Sequence, residues 1–248
     1  MQVRDGIGNP VFCIHPHSIM PWRWRELGEY TRRPVHVVRL AFTGDDALPE
    51  SLTAAAEDYA DRIVKIQPEG PYDLIGWSFG GRVAHEIANV LQGRDLSVRR
   101  LIMLDTRLTT DVAEIEAAMF KSAVLREILS DSGVDSSAVP DPLSQEAAVA
   151  LADGRDIPLP QDWYLDLLVE AVRMNRQLAA GHTPGAFRGD LHMITTPHSR
   201  HRFRPSHGWR PYIGGNVEEI VVNCSHFTML RPESLREYGE FLETVLGD

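Results

Sequence analysis

Cysteine is scarce: Cys13 and Cys224 stand alone, each inside an apolar run. That is no disulfide framework, and zinc-type spacing is missing too, so a stapled secreted scaffold and a cysteine-held metal site are both excluded. Long apolar runs are also lacking. No stretch approaches the ~18 consecutive apolar residues of a membrane helix, and Met1 to Gly6 lacks the apolar core of a secretory signal. Basic charge is in deficit: 25 Lys and Arg against 35 Asp and Glu leave a formal net charge of -10. A protein so charged should repel nucleic acid and anionic membrane. These absences point to a cytoplasmic protein with no metal, nucleic-acid or membrane partner.

What is present is an ordinary globular balance, with 43% hydrophobic and 24% charged residues in 248. That length suits one large α/β domain, or a compact domain carrying an insertion. Short apolar runs alternate with helical patterns in the first half, which predicts βαβ units and a mostly parallel sheet. Strands are expected at Val11 to His15, Val35 to Phe42 (closed by a turn at Thr43 to Asp46), Tyr72 to Trp77 and Val98 to Leu104. Helices are expected at Ser51 to Ile66 and Phe79 to Leu91. From about Arg107 to Arg188 only helical stretches appear, and strands resume at Leu191 to Thr195 and Val217 to Val222. A last amphipathic helix is expected at Pro232 to Leu246. The reading is therefore a core of residues 1–106 and 189–248, with helices on both faces of the sheet, and a helical lid inserted at 107–188.

Gly76-Trp77-Ser78-Phe79-Gly80 matches G-x-S-x-G, with strand before it and helix after it. A serine there occupies a sharp turn that lifts its hydroxyl above the sheet edge. Glycines on either side let strand and helix approach closely. The amide of Phe79, opening the helix, would point at a developing oxyanion. The plainer alternative is a glycine-rich turn whose serine merely caps the helix.

A serine hydroxyl needs a positioned base. In this motif's setting the base follows in the order serine, acid, histidine, and His226 lies just after the last strand and before the final helix. Asp105 ends the strand Leu101 to Leu104 and would orient the imidazole. The loop after the next strand, Thr195 to Ser199, has no acid, and Asp190 lies at that strand's other end.

These residues carry a resemblance. Phe12-Cys13-Ile14-His15-Pro16, Gly76 to Gly81, Leu104-Asp105, Trp209 and Ser225-His226-Phe227 resemble the thioesterase domains that end nonribosomal peptide synthetases and polyketide synthases, within the α/β-hydrolase superfamily. The resemblance implies an acyl or peptidyl chain delivered as a thioester on the phosphopantetheine of a carrier protein, with no cofactor held by the domain itself. Ser78 would take the acyl group, and water or an internal amine or hydroxyl would release it. It also implies a second oxyanion amide, from His17 or a neighbour. The sequence departs from the family where His17-Ser18-Ile19-Met20 replaces a glycine-rich stretch, and where Thr106-Arg107 follows Asp105 without the usual proline. A free-standing editing thioesterase, a carboxylesterase and a non-catalytic binding relative are the alternatives on the same fold.

Residues 198–210 gather Arg200, Arg202, Arg204 and Arg210 with three histidines. They are either a contact for an acidic carrier surface or the arm's phosphate, or a solvated loop. Cys224 reads as a small buried hydrophobe. Trp22 and Trp24 read equally as lining for an acyl channel or as core.

Overall fold

The computed structural model describes residues 1–14, 21–38, 49–108, 116–157 and 159–247, without the side chains of Pro21, Trp22 and Asp131. Seven strands form one sheet among these residues: β1 (Gln2–Arg4), β2 (Val11–Ile14), β3 (Val35–Val38), β4 (Tyr72–Trp77), β5 (Val98–Leu104), β6 (Leu191–Thr195) and β7 (Val217–Val221). Their order is β1-β3-β2-β4-β5-β6-β7. β1 runs antiparallel to β3, and every other pair is parallel. The expected α/β architecture is thus present, with β1 as an addition too short for any alternation to announce it. The turn expected at Thr43 to Asp46 lies outside the described residues.

Alternation along the strands divides the core between the two faces of the sheet. Phe12, Ile14, Leu74, Leu101 and Met103 meet α1 (Leu52–Ile66) and α2 (Phe79–Gly93) on one side. Val11, Cys13, Ile75, Ile102 and Leu104 meet a 3₁₀ segment, Pro21–Tyr30, and the helix Pro232–Leu246 on the other. Trp24 is fully buried in this second cluster, so it is core, and Cys224 is half-buried against it. α1 starts where expected, because the Ser51 side chain accepts the Ala54 N–H at 3.1 Å.

The chain divides into two compact units, 1–110 with 178–248, and 111–177. The inserted unit contains α3 (Ala117–Asp131), α4 (Gln145–Ala152) and α5 (Asp162–Ala179, whose last residues belong to the first unit). Within it Lys121 of α3 pairs with Asp166 of α5 at 2.6 Å, and Arg126 holds Asp141 at 2.8 Å. Its bounds are narrower than the 107–188 expected. Leu178 and Phe187 are nearly fully buried in the cluster on the α1–α2 face, so the chain has rejoined the core before β6 begins.

At the amino end of β4 the carboxylate of Asp73, with no exposed surface, pairs with Arg33 and Arg99. Arg33 also donates to the carbonyls of Asn9, Pro10 and Leu246, which ties the last helix to the first loop. Asp73→Ala leaves two guanidinium groups facing an emptied site and is expected to cost about 3–5 kcal/mol. Chemical denaturation measures it, and a loss below ~1 kcal/mol, the scale of an exposed pair, would count against this account.

Candidate active site

The parallel register brings the strand ends level. Trp77 lies beside Leu104, and Leu104 beside Ile194, so the residues that follow β4, β5 and β6 share one edge of the sheet. Ser78 follows β4 with φ 56 and ψ -125, a conformation L-residues adopt at a cost. It is held by backbone contacts. The Ser78 N–H donates to Leu104 O at 2.8 Å, and Ser78 O accepts from the Gly81 N–H at 3.1 Å. A Cβ on Gly76 would lie 2.3 Å from Gly80 O, so only glycine lets strand and helix turn this tightly. The Ser78 side chain makes no capping bond to α2, which removes the helix-cap alternative.

Asp105 follows β5, also with positive φ, at 46°. Its carboxylate is almost fully buried and accepts four hydrogen bonds. Oδ1 takes the Thr196 N–H at 3.1 Å and the Thr196 hydroxyl at 3.3 Å. Oδ2 takes the Ser199 hydroxyl at 2.9 Å and His226 Nδ1 at 2.7 Å. Arg107 Nε donates to the Ser199 hydroxyl at 3.1 Å, with Nη2 3.7 Å from Oδ2. Burial by itself would raise the Asp105 carboxyl. The His226 bond and charge, then the Thr196 amide and the Ser199 hydroxyl, outweigh it and hold the group at about 2, against an ordinary 3.8.

His226 sits in a turn fixed by Ser225 and Thr228, where the Ser225 N–H donates to the Thr228 hydroxyl at 3.2 Å. With Nδ1–H committed to Asp105, the tautomer puts the lone pair on Nε2. The Ser78 turn also reaches the histidine directly. Trp77 Nε1–H, from the residue before Ser78, donates to His226 O at 3.1 Å, and the two rings stand 5.3 Å apart. His85, by contrast, is a buried residue of α2, donating Nε2–H to Tyr212 O at 3.2 Å while Nδ1 accepts from Asn89 at 3.3 Å. Burial holds it at about 4, a neutral structural imidazole.

The basic segment is helical, which corrects the loop expected there. Thr196 caps α6 (Pro197–Phe203), with Ser199 N–H donating to its hydroxyl at 3.2 Å, and α7 (Pro205–Trp209) follows at once. Glu219 of β7 binds this segment at two points, the Ser206 hydroxyl at 2.5 Å and Arg200 at 2.9 Å, and also accepts from the Thr195 hydroxyl at the end of β6 at 3.0 Å. Arg202 lies over the Phe203 ring, 5.4 Å from its centroid, and Arg204, exposed and left-handed, joins the two helices. His17, the second oxyanion candidate, lies outside the described residues. Sequence reasoning missed Thr196 and Ser199 as partners of the acid. Thr196-Pro197, a capping residue followed by proline at the first helical position, is the signal that would have found them. Among the described residues no three His, Cys, Asp or Glu side chains gather as metal ligands, and no helix is long and apolar enough to cross a membrane.

The thioesterase domain model matches residues 9–246, and the chain belongs to that family. It is 29% identical over 247 residues to the dimodular nonribosomal peptide synthase of Bacillus subtilis (strain 168), a match covering 96% of this chain and 10% of that protein. It is 29% identical over 246 residues to the probable non-canonical nonribosomal peptide synthetase CymA of Salinispora arenicola (strain CNS-205), covering 96% and 3%. The chain thus spans a tenth or less of these curated relatives' length. Among solved structures, the NocB thioesterase domain in covalent complex with a fluorophosphonate nocardicin G analog aligns with a TM-score of 0.66 at 24% identity, over 98% of this chain and 96% of that one. The fold is that of the α/β-hydrolases.

Because the folded carboxyl of Asp105 titrates below its ordinary value, its contribution to stability is complete above pH ~4 and is lost as pH falls toward about 2. Asp105→Asn should therefore destabilise the protein by about 2 kcal/mol more at pH 6 than at pH 2. Urea unfolding of both proteins at the two pH values checks this, and a pH-independent difference would contradict it.

Proposed function

We propose that Ser78, Asp105 and His226 form a catalytic triad that releases an acyl or peptidyl chain from a carrier protein's phosphopantetheine thioester. One observation carries the reading. A serine in a strained strand-to-helix turn, with its hydroxyl uncommitted to the helix, shares a sheet edge with a buried Asp105 bonded to a part-buried His226. In this reading Ser78 Oγ attacks the thioester carbonyl and its proton passes to His226 Nε2. Asp105 keeps the imidazole in the accepting tautomer and stabilises its charged form. The oxyanion accepts the Phe79 N–H, the first amide of α2, together with a second amide at or near His17. Collapse expels the pantetheine thiol, which takes the proton from His226 and leaves an acyl-serine. Water, or an amine or hydroxyl of the chain itself, then attacks the ester, and His226 repeats its cycle.

The helical insertion expected as a lid at 107–188 would decide between water and an internal nucleophile, since excluding water favours cyclisation. Arg200 is committed to Glu219, so the contact for an acidic carrier surface or the arm's phosphate falls to Arg202 and Arg204. The substrate brings its own phosphopantetheine, and the domain needs no cofactor or metal. Neither nucleic acid nor membrane is a partner, and the reaction belongs in the cytoplasm.

Ser78→Ala should abolish labelling by a fluorophosphonate probe. On a carrier-loaded acyl thioester, Ser78→Ala should lower kcat by about 10⁶-fold and Asp105→Asn by about 10⁴-fold. A retained rate in Ser78→Ala would falsify the assignment. The double variant Arg202→Glu/Arg204→Glu should cut carrier-dependent kcat/KM by about 10-fold and leave a short p-nitrophenyl ester untouched. Equal loss on both substrates removes the carrier contact, and preference for the ester in the native protein would mark a carboxylesterase.

A further inference from the structure

Thr106 has no place in the triad, yet it is fully buried against the nucleophile turn. Its hydroxyl lies 3.0 Å from Ser78 O and 3.4 Å from Leu104 O. A threonine hydroxyl has one proton, and the shorter contact takes it. The residue is held from its other side as well, where the fully buried Trp209 donates Nε1–H to Thr106 O at 3.2 Å. The helix makes room for this hydroxyl. A Cβ on Gly81 would lie 1.9 Å from Thr106 Oγ1, so any side chain there would expel it.

Ser78 O belongs to the same peptide unit as the Phe79 N–H. That unit is planar, with C=O and N–H pointing in opposite directions, so whatever fixes the carbonyl aims the amide. Two donors fix this carbonyl, Gly81 N–H at 3.1 Å and the Thr106 hydroxyl. Donation into a carbonyl also polarises its amide and strengthens the N–H on the far side. Being the first of α2, that N–H has no partner within the helix. We infer that Thr106 is a positioning residue for oxyanion stabilisation, acting through the Ser78–Phe79 peptide. The inference rests on the reading of Ser78 as nucleophile and the Phe79 amide as oxyanion donor.

The test compares Thr106→Val, which keeps the shape and loses the hydroxyl, with Thr106→Ala and Thr106→Ser. Thr106→Ala keeps the comparison open should valine not be accommodated. Each is assayed below its thermal midpoint with an acyl N-acetylcysteamine thioester, and each is titrated with a boronic acid that forms a tetrahedral adduct on serine. Val and Ala should lower kcat by about 10- to 100-fold with KM within about twofold, and weaken the boronic acid by a similar factor. That is less than the ~10²–10³ for outright loss of an oxyanion donor. Thr106→Ser should stay within about threefold of the parent. A wild-type kcat in Val or Ala, a loss confined to KM, or a Ser variant as impaired as Val would overturn the inference. Ser78→Ala runs alongside. Turnover surviving there overturns the nucleophile reading and this inference together, whereas a dead Ser78→Ala beside an unimpaired Thr106→Val overturns this inference alone.

Discussion

The hydrogen bond between Asp105 Oδ2 and His226 Nδ1 is the contact on which the rest of the site depends. A carboxylate without exposed surface would neutralise itself unless its charge were matched, because desolvation penalises the ionised form. Here four donors surround it, and together they outweigh burial. A carboxylate so satisfied is a poor proton acceptor. It can orient an imidazole and support its positive charge while the proton stays on the ring. The three donors other than His226 come from α6 and the residue before it, so residues far from Ser78 in sequence determine what His226 can do.

A parallel sheet explains why these groups meet at all. β4 and β5 are neighbours in register, and each ends in a residue with positive φ, Ser78 and Asp105. The residues flanking Asp105 grip Ser78 on both sides, Leu104 O accepting its N–H and the Thr106 hydroxyl donating to its carbonyl. Ser78 and Asp105 are therefore placed by the same pair of strands. The histidine arrives separately, on a turn beyond β7 that Trp77, the residue before Ser78, ties back by its own indole N–H. At the opposite end of β4, Asp73 and its arginines close the structure where no chemistry is proposed.

How much of this was legible follows from what leaves a periodic trace. β4, β5, β6 and the last helix have the bounds expected of them, because buried parallel strands are continuous apolar runs and the helix carries an apolar stripe. The positions of Ser78 and Asp105 at the ends of β4 and β5, and of His226 beyond β7, were legible from motif and chain order. The Thr196, Ser199 and Thr106 contacts were not, since a hydroxyl's partner depends on tertiary position and leaves no mark on spacing. α6 and α7 were hidden for a related reason. With 7 and 5 residues they are too short to show a helical period, and their arginines and histidines imitate a solvated loop. Leu178 and Phe187 show the same limit, for composition placed them with the inserted helices while packing gives them to the core.

The two bonds from Glu219 to Arg200 and Ser206 brace the basic helices against β7. An arginine-bearing loop would lose conformational freedom on meeting a partner, and that ordering would subtract from affinity. A surface already ordered avoids that loss. Arg202 and Arg204, exposed on this braced segment, would act chiefly by speeding encounter through long-range attraction, so rising ionic strength would slow association far more than it hastened departure.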